Sequence, residues 1–477
     1  MARLYPFRAL RYDPSRVNME DVVTQPYDKI TPAMQQRYYE ASPYNLIRVI
    51  LGKHEPNDTE PQDFLPNGEK AHNVYTRAAQ TLHEWRRDHI LAEESEAAVY
   101  GYSQTYTVPG TSEMRERRGF IALGHLYDYA DKVVYRHEQT FPKHKSDRLA
   151  LFKATRAYCE QIYMLYSDPA FTAEKLIFGA SGPSETVSSM IGPDTTAPDL
   201  AITDEYNVVH RLWKITDPQI INLLLTAMAD KKLIIADGHH RYETSVAYAK
   251  ERSAQLKLPF NQAHPDDEDS SPSVIADGDT RPMLPAPSFP EAAMMMTFVN
   301  MDAPGITILP THRVVSGIEN FSSPDFITRA SAFFNIKELA TPDLSALNAA
   351  PGTAFLAATG DGNYLLTPKQ DIIAAQLKDI SPRQAQLDVV QLHRIILDKL
   401  LGLDQETITR LGNVRYIREA EEAISLVQSG DANIAFLIKP ITLDQLRDIS
   451  LSGDVMPQKS TDFYPKLLSG LAIYALD

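Results

Sequence analysis

The sequence predicts a mixed α+β protein, and three observations carry that expectation. In the run KKLIIADGHHRYETSVAYAKER, an apolar strand over Leu233–Ala236 meets a polar turn and then an amphipathic helix. Residues 96–108 and 118–127 each read as strands and suit an antiparallel pair. Pro218–Ala229 reads as a helix feeding the Leu233 strand, which gives the turn a helix–strand–turn–helix setting of the kind an α/β or α+β fold supplies.

The remaining elements follow in order. Thr31 before Pro32 is a helix start, with the hydroxyl as cap and proline at the first helical position, and that helix should end near Glu40. Residues 55–69 are a polar loop and 70–92 a helix. Arg148–Tyr158 is expected to be helical and Gln161–Tyr166 a strand. Residues 181–199 form a Ser/Pro/Gly-rich connection. Residues 261–290 hold the acidic run Asp266–Asp269 and many prolines, which marks a mobile surface insertion. A strand pair over 293–315 should pack on the core. The expected division is therefore 1–260, the insertion 261–290, and a C-terminal α+β region 291–477.

Bulk properties narrow the function. At 477 residues, two or three domains are expected. A net charge of −15 argues against broad binding of nucleic acid, which needs a basic footprint. No apolar run reaches the roughly 20 residues that span a bilayer. A single cysteine, Cys159, precludes an internal disulfide framework. With no apolar leader at the N-terminus, the expected location is the cytoplasm. Cys159 lies in TRAYCEQIY, which reads as helix, and a packed structural thiol is the reading favoured there.

The central turn gathers Asp237, Gly238, His239, His240 and Arg241. Glycine permits a sharp bend and close approach of a ligand. The first amides of the following helix, at its positive dipole end, suit a phosphate. Asp237 has two uses that the residues alone leave open: a helix cap, or a carboxylate that takes a proton or holds magnesium. Next to Arg241 its pKa should fall, which weakens it as a base. Glu243 and Glu138 are the other carboxylate candidates. Three further segments concentrate cations after apolar runs: Arg136–Arg148, with Lys143, His144, Lys145 and Arg148; Thr311–Arg313, with His312; and Lys459–Lys466. His137–Glu138 lacks the second histidine of a zinc-protease helix, since position 141 is Phe, so zinc is not expected there.

Several motifs in one order resemble the domain of unknown function 1015 family: FRALRYDP, QPYDKI, RRGFIALG, RHEQTF with KSDR, ADGHHRYETSVAY, GITILPTHR, LTPK, LDVVQLHRIIL and MPQKSTDFYPKLLSGL. The DGHHR core is similar to the signature of the ParB/sulfiredoxin-like superfamily, which includes free serine kinases. The resemblance implies a ParB/sulfiredoxin-like core and a nucleotide or related donor, ATP, ADP or pyrophosphate. It also implies phosphate binding by Gly238, His239, His240 and Arg241, with Asp237 catalytic. His239 and Glu138 are further catalytic candidates, and Lys145, Arg148, His312 and Arg313 complete the expected phosphate pocket. Where the family carries a double proline before Tyr27 and Asp28, this chain has Gln25–Pro26. The expected function is a magnesium-assisted kinase for a small hydroxylated metabolite, L-serine foremost. The alternatives are a phosphoserine-type hydrolase and a non-catalytic nucleotide-binding regulator.

Overall fold

The computed structural model describes residues 1–60, 71–140, 142–179, 197–260 and 284–477. The chain divides into two units. Unit 1 comprises 1–135, 140–306 and 465–477, and unit 2 comprises 136–139 and 307–464. The segments 61–70 and 180–196 and most of the expected insertion, 261–283, lie outside the described residues.

Unit 1 is built on a mixed sheet of nine strands among the described residues. Its order is Val134–Tyr135, Leu233–Asp237, Ile162–Tyr166, Ala293–Asn300, Met114–His125, Val99–Thr107, Val209–Ile215 and Leu200–Thr203, with Leu4–Tyr5 also pairing Met114–His125. The strands expected over 96–108 and 118–127 are the antiparallel pair Val99–Thr107 and Met114–His125. Ala293–Asn300 is buried along its whole length, paired antiparallel to Met114–His125 and parallel to Ile162–Tyr166. A strand enclosed on both faces reads as a continuous apolar run, which AMMMTFV is. Phe298 there stacks on Phe120 with centroids 5.1 Å apart, and burying such a ring contributes about 1.5–3 kcal/mol.

Thr31 accepts a hydrogen bond from the Met34 amide at 3.2 Å, and the helix runs Pro32–Ala41, as its cap and proline require. Pro218–Met228 starts in the same way, capped by Asp217. Two expectations fail. The helix placed at Arg148–Tyr158 spans Pro142–Thr155 instead. It stops because Arg156 takes a left-handed backbone (φ 50°), after which Ala157–Tyr158 joins a strand near the C-terminus, Tyr474–Ala475. Cys159 is therefore outside any helix. It is buried, and burial pushes its thiol up to about 12, so it is an inert packing residue. The strand pair expected over 293–315 is not a pair. Ala293–Asn300 enters the sheet of unit 1, Thr307–Leu309 pairs with Asp462–Tyr464, and His312–Val315 lies between Val414–Ile417 and Ile434–Leu437. Pro310 lacks the amide a ladder needs, and Gly305 takes φ +91°, so the chain turns at both breaks.

Unit 2 has a six-stranded sheet among its described residues, ordered Phe334–Leu339, Asn363–Pro368, Phe355–Thr359, Ile434–Leu437, His312–Val315 and Val414–Ile417. One face packs on Phe326, Leu392, Ile396 and Leu400, and the other on Leu347, Ala423 and Val427.

Candidate functional site

The central turn forms where the sequence places it. Leu233–Asp237 pairs parallel with Val134–Tyr135 and antiparallel with Ile162–Tyr166. The register shifts between Ile235 and Asp237, leaving Ala236 as an extra residue. Such a bulge bends a strand and re-aims its last side chain. Gly238 then takes φ 95°, ψ 25°, and the 18-residue helix His239–Leu256 begins. Gly238 is the cap position, so the reading of Asp237 as the helix cap is set aside.

Asp237 is held between two cations. Its Oδ2 accepts from Arg241 Nη2 at 2.8 Å and its Oδ1 from Lys466 Nζ at 3.2 Å. Burial raises its carboxyl pKa, but Lys466, Arg241 and Lys29 outweigh that and hold it well below the usual range. It is an anion at any physiological pH.

Arg241 is only 4% exposed. Its Nη1 donates to the Gln161 carbonyl at 2.6 Å and stands 3.9 Å from Glu160 Oε1. The guanidinium also folds back over the bend: a Cβ on Gly238 would sit 3.2–3.3 Å from three of its atoms. Glycine is thus needed both for the backbone angle and for the room. With its terminal nitrogens committed to protein oxygens, Arg241 fixes the position of Asp237, whereas the sequence pattern pointed to direct phosphate contact. His239 is buried and His240 half-buried, as neighbours on a helix should diverge.

Behind the turn lies a buried charge network. Glu160 Oε1 accepts from the Tyr27 amide at 3.0 Å, and Oε2 lies 3.6 Å from Arg148 Nη1. Burial raises the Glu160 pKa in spite of Arg241 and Arg148. Arg148, expected at a phosphate, is 3% exposed. It donates to Asp147 Oδ2 and the Ile50 carbonyl at 2.8 Å each, and lies 4.1 Å from the Tyr27 ring centroid. Lys145 pairs with Glu243, which also accepts from Thr140 (2.6 Å) and Tyr129 (3.0 Å). Burial raises the Glu243 pKa, but Lys145 and Thr140 hold it below the usual range, which weakens it as a base. The side chains of Lys143 and His144 lie outside the described residues.

Glu138, His312 and Arg313 belong to unit 2. Arg313 is fully buried and donates to main-chain carbonyls of Thr311, Gln458 and, at 3.1 Å, Lys459. Its guanidinium lies 5.1 Å from the Tyr416 ring centroid. Burial lowers its pKa to about 10, with Tyr416 and Glu138 opposing. His312 Nδ1 accepts from the Ile438 amide at 3.2 Å. These contacts tie the end of one strand to its neighbours.

Burial, then Arg313, lowers His312 to about 4 and His393 to about 3. An unfolded imidazole titrates near 6.5, so between pH 6.5 and 4 the unfolded chain binds more protons and stability falls as pH falls. For His312 the loss is on the order of 3 kcal/mol. Wild-type protein should therefore lose thermal stability relative to His312→Gln across that window, followed by calorimetry. A difference in Tm that stays constant with pH rules this out.

Sequence reasoning did not assign Glu160, Gln161, Lys29 or Lys466 to this turn. The usable signal was a polar pair, Glu160–Gln161, set directly before the apolar strand Ile162–Tyr166. Lys466 stood out only as part of a cationic segment.

Residues 4–390 match the family model described as Protein of unknown function (DUF1015). The chain belongs to this family. As a DUF1015 member it places both QPYDKI and the DGHHR turn inside the matched region. No curated protein matches it by sequence. Solved structures similar to it include a free serine kinase in complex with AMP, at 10% identity and a TM-score of 0.33, covering 72% of this chain and 86% of that one. Another is SbnI with a C-terminal truncation from Staphylococcus aureus, at 10% identity and 0.32, covering 73% and 85%. A conserved hypothetical protein from Pyrococcus furiosus stands at 10% identity and 0.32, covering 73% and 92%. Likeness at that level carries no argument about chemistry. Among the described residues, no helix is long and apolar enough to cross a membrane.

Proposed function

We propose that this DUF1015 protein is a phosphotransferase acting on a small hydroxylated metabolite, L-serine foremost, with ATP, ADP or pyrophosphate as donor. One observation carries the reading: an ionised carboxylate, Asp237, is fixed by Arg241 and Lys466 at a glycine bend that opens a long helix. In phosphoryl transfer, positioning and charge neutralisation dominate over base strength. Asp237 would orient the acceptor hydroxyl, and Lys466 with the first turn of the helix would face the transferred group. The hydroxyl oxygen forms the new P–O bond, and the bridging P–O bond of the donor breaks with its electron pair going to the leaving group. The hydroxyl proton passes to solvent, because Asp237 is too weak a base to keep it.

Magnesium held by the protein does not fit this turn. Both Asp237 oxygens already face cations, and a third, Lys29, is close enough to lower its pKa. Among the described residues, the group with metal-ligand spacing is Glu55, Asp58 and His72, where Arg77 Nη2 already donates to Asp58 at 3.0 Å. The proposed chemistry rests on the cations and the carboxylate.

Purified protein given L-serine with each donor in turn should form phosphoserine, detected by phosphorus NMR. No phosphoserine with any donor removes the substrate. Phosphate released from phosphoserine without nucleotide would reassign the site to hydrolysis.

A further inference from the structure

Unit 2 contains a cavity of about 390 Å³, lined in part by Thr353, Asp388, Gln391, Lys439 and Ile441. Its walls carry one cation and one carboxylate that are held apart. Lys439 Nζ donates to the main-chain carbonyls of Ala350 and, at 2.9 Å, Gly352, which pins the ammonium to the bend between the helix Leu344–Ala349 and the strand Phe355–Thr359. Asp388 sits at the start of the helix that follows Leu387, beside the Thr353 hydroxyl. The two charges influence each other, yet they form no ion pair among the described residues. Burial raises the Asp388 pKa against the opposing effects of the Thr353 hydroxyl and Lys439, so these partners offset its desolvation only in part.

A third group points the same way. Gln391 is 2% exposed and its Nε2 donates to the Ala385 carbonyl at 2.8 Å, while its Oε1 has no partner among the described residues. An unsatisfied buried acceptor is costly unless something supplies a donor. The rest of the lining includes apolar surface from Leu387, Val389 and Ile441. Separated opposite charges, an acceptor in need of N–H, and an apolar wall are the complement of a zwitterion with a side chain.

We propose that this cavity is a second ligand site, for a free α-amino acid, with the ligand carboxylate on Lys439 and its ammonium on Asp388 and Gln391 Oε1. A lone carboxylate would give Gln391 Oε1 no donor and Asp388 no added cation, and a lone amine would bring no anion to Lys439, whose ammonium donates to neutral main-chain carbonyls. All the groups lie within unit 2, so the site does not depend on the phosphotransferase reading.

The test is calorimetric titration of the full-length protein with a panel of free amino acids, in which substitutions at Asp388 and Lys439, both in unit 2, separate binding here from serine binding at the turn in unit 1. At least one amino acid should bind. Its decarboxylated amine and its deaminated acid should each bind about tenfold or more weakly, since each loses a charge-assisted contact. Asp388→Asn, which keeps the shape of the side chain, should weaken the same amino acid by about tenfold or more. Lys439→Met should do likewise, and the analogue series stands without it if that variant fails to fold. Absence of binding across the panel, equal affinity for the amine or the acid, or unchanged affinity in Asp388→Asn would each overturn the proposal.

Discussion

Arg241→Ala is expected to destabilise unit 1 by about 3–5 kcal/mol, the loss seen when one partner of a buried ion pair is removed. Arg241 is 4% exposed, donates to Asp237 and the Gln161 carbonyl, and stands 3.9 Å from the Glu160 carboxylate. Removing it leaves Asp237 with Lys466 and Glu160 with Arg148, while the Gln161 carbonyl loses this donor. Arg241→Lys should recover only part of the loss, because a single ammonium cannot reproduce a planar fork. Both tryptophans, Trp85 and Trp213, belong to unit 1, so urea unfolding followed by tryptophan fluorescence reports on the right unit. A loss below about 1 kcal/mol would mean that the pairing is surface-like in strength.

Asp237→Asn is expected to lower the turnover number by about a hundredfold or more, the range for losing the group that positions the acceptor hydroxyl. The amide keeps the shape and loses the charge that Lys466 and Arg241 fix. The effect should fall on kcat more than on KM, since the group acts on the acceptor hydroxyl rather than on general affinity. Because the carboxyl pKa lies far below the usual range, wild-type activity should show no ionisation of Asp237 between pH 5 and 8. The same depression stabilises the fold above the unfolded carboxyl pKa near 4 and is lost as pH falls through the folded value. The acid side of the stability curve should accordingly flatten in the variant. Activity within about threefold of wild type would remove Asp237 from the mechanism.

Much of unit 1 was legible because its signals are local. Thr31–Pro32, the strands on either side of residue 110, and the turn at Gly238 depend on neighbours a few positions away. The helix end before Cys159 was misplaced because Arg156 adopts a left-handed backbone that no glycine announces. The segment 293–315 misled because apolar content marks strands without naming their partners. Burial of Arg148 and Arg313 was also hidden: a cation in a basic cluster looks the same in sequence whether it faces solvent or a carbonyl.

By itself the sequence determined the strand, the bend and the helix over 233–256, since propensity and glycine geometry act over short range. It also determined membership of the family, through motifs preserved in order. Only the tertiary structure decided that Lys466, 229 positions downstream, meets Asp237, and that Glu160 stands behind Arg241. Sheet order and chain return set those meetings, and electrostatic pairing across such separations has no local periodicity to betray it.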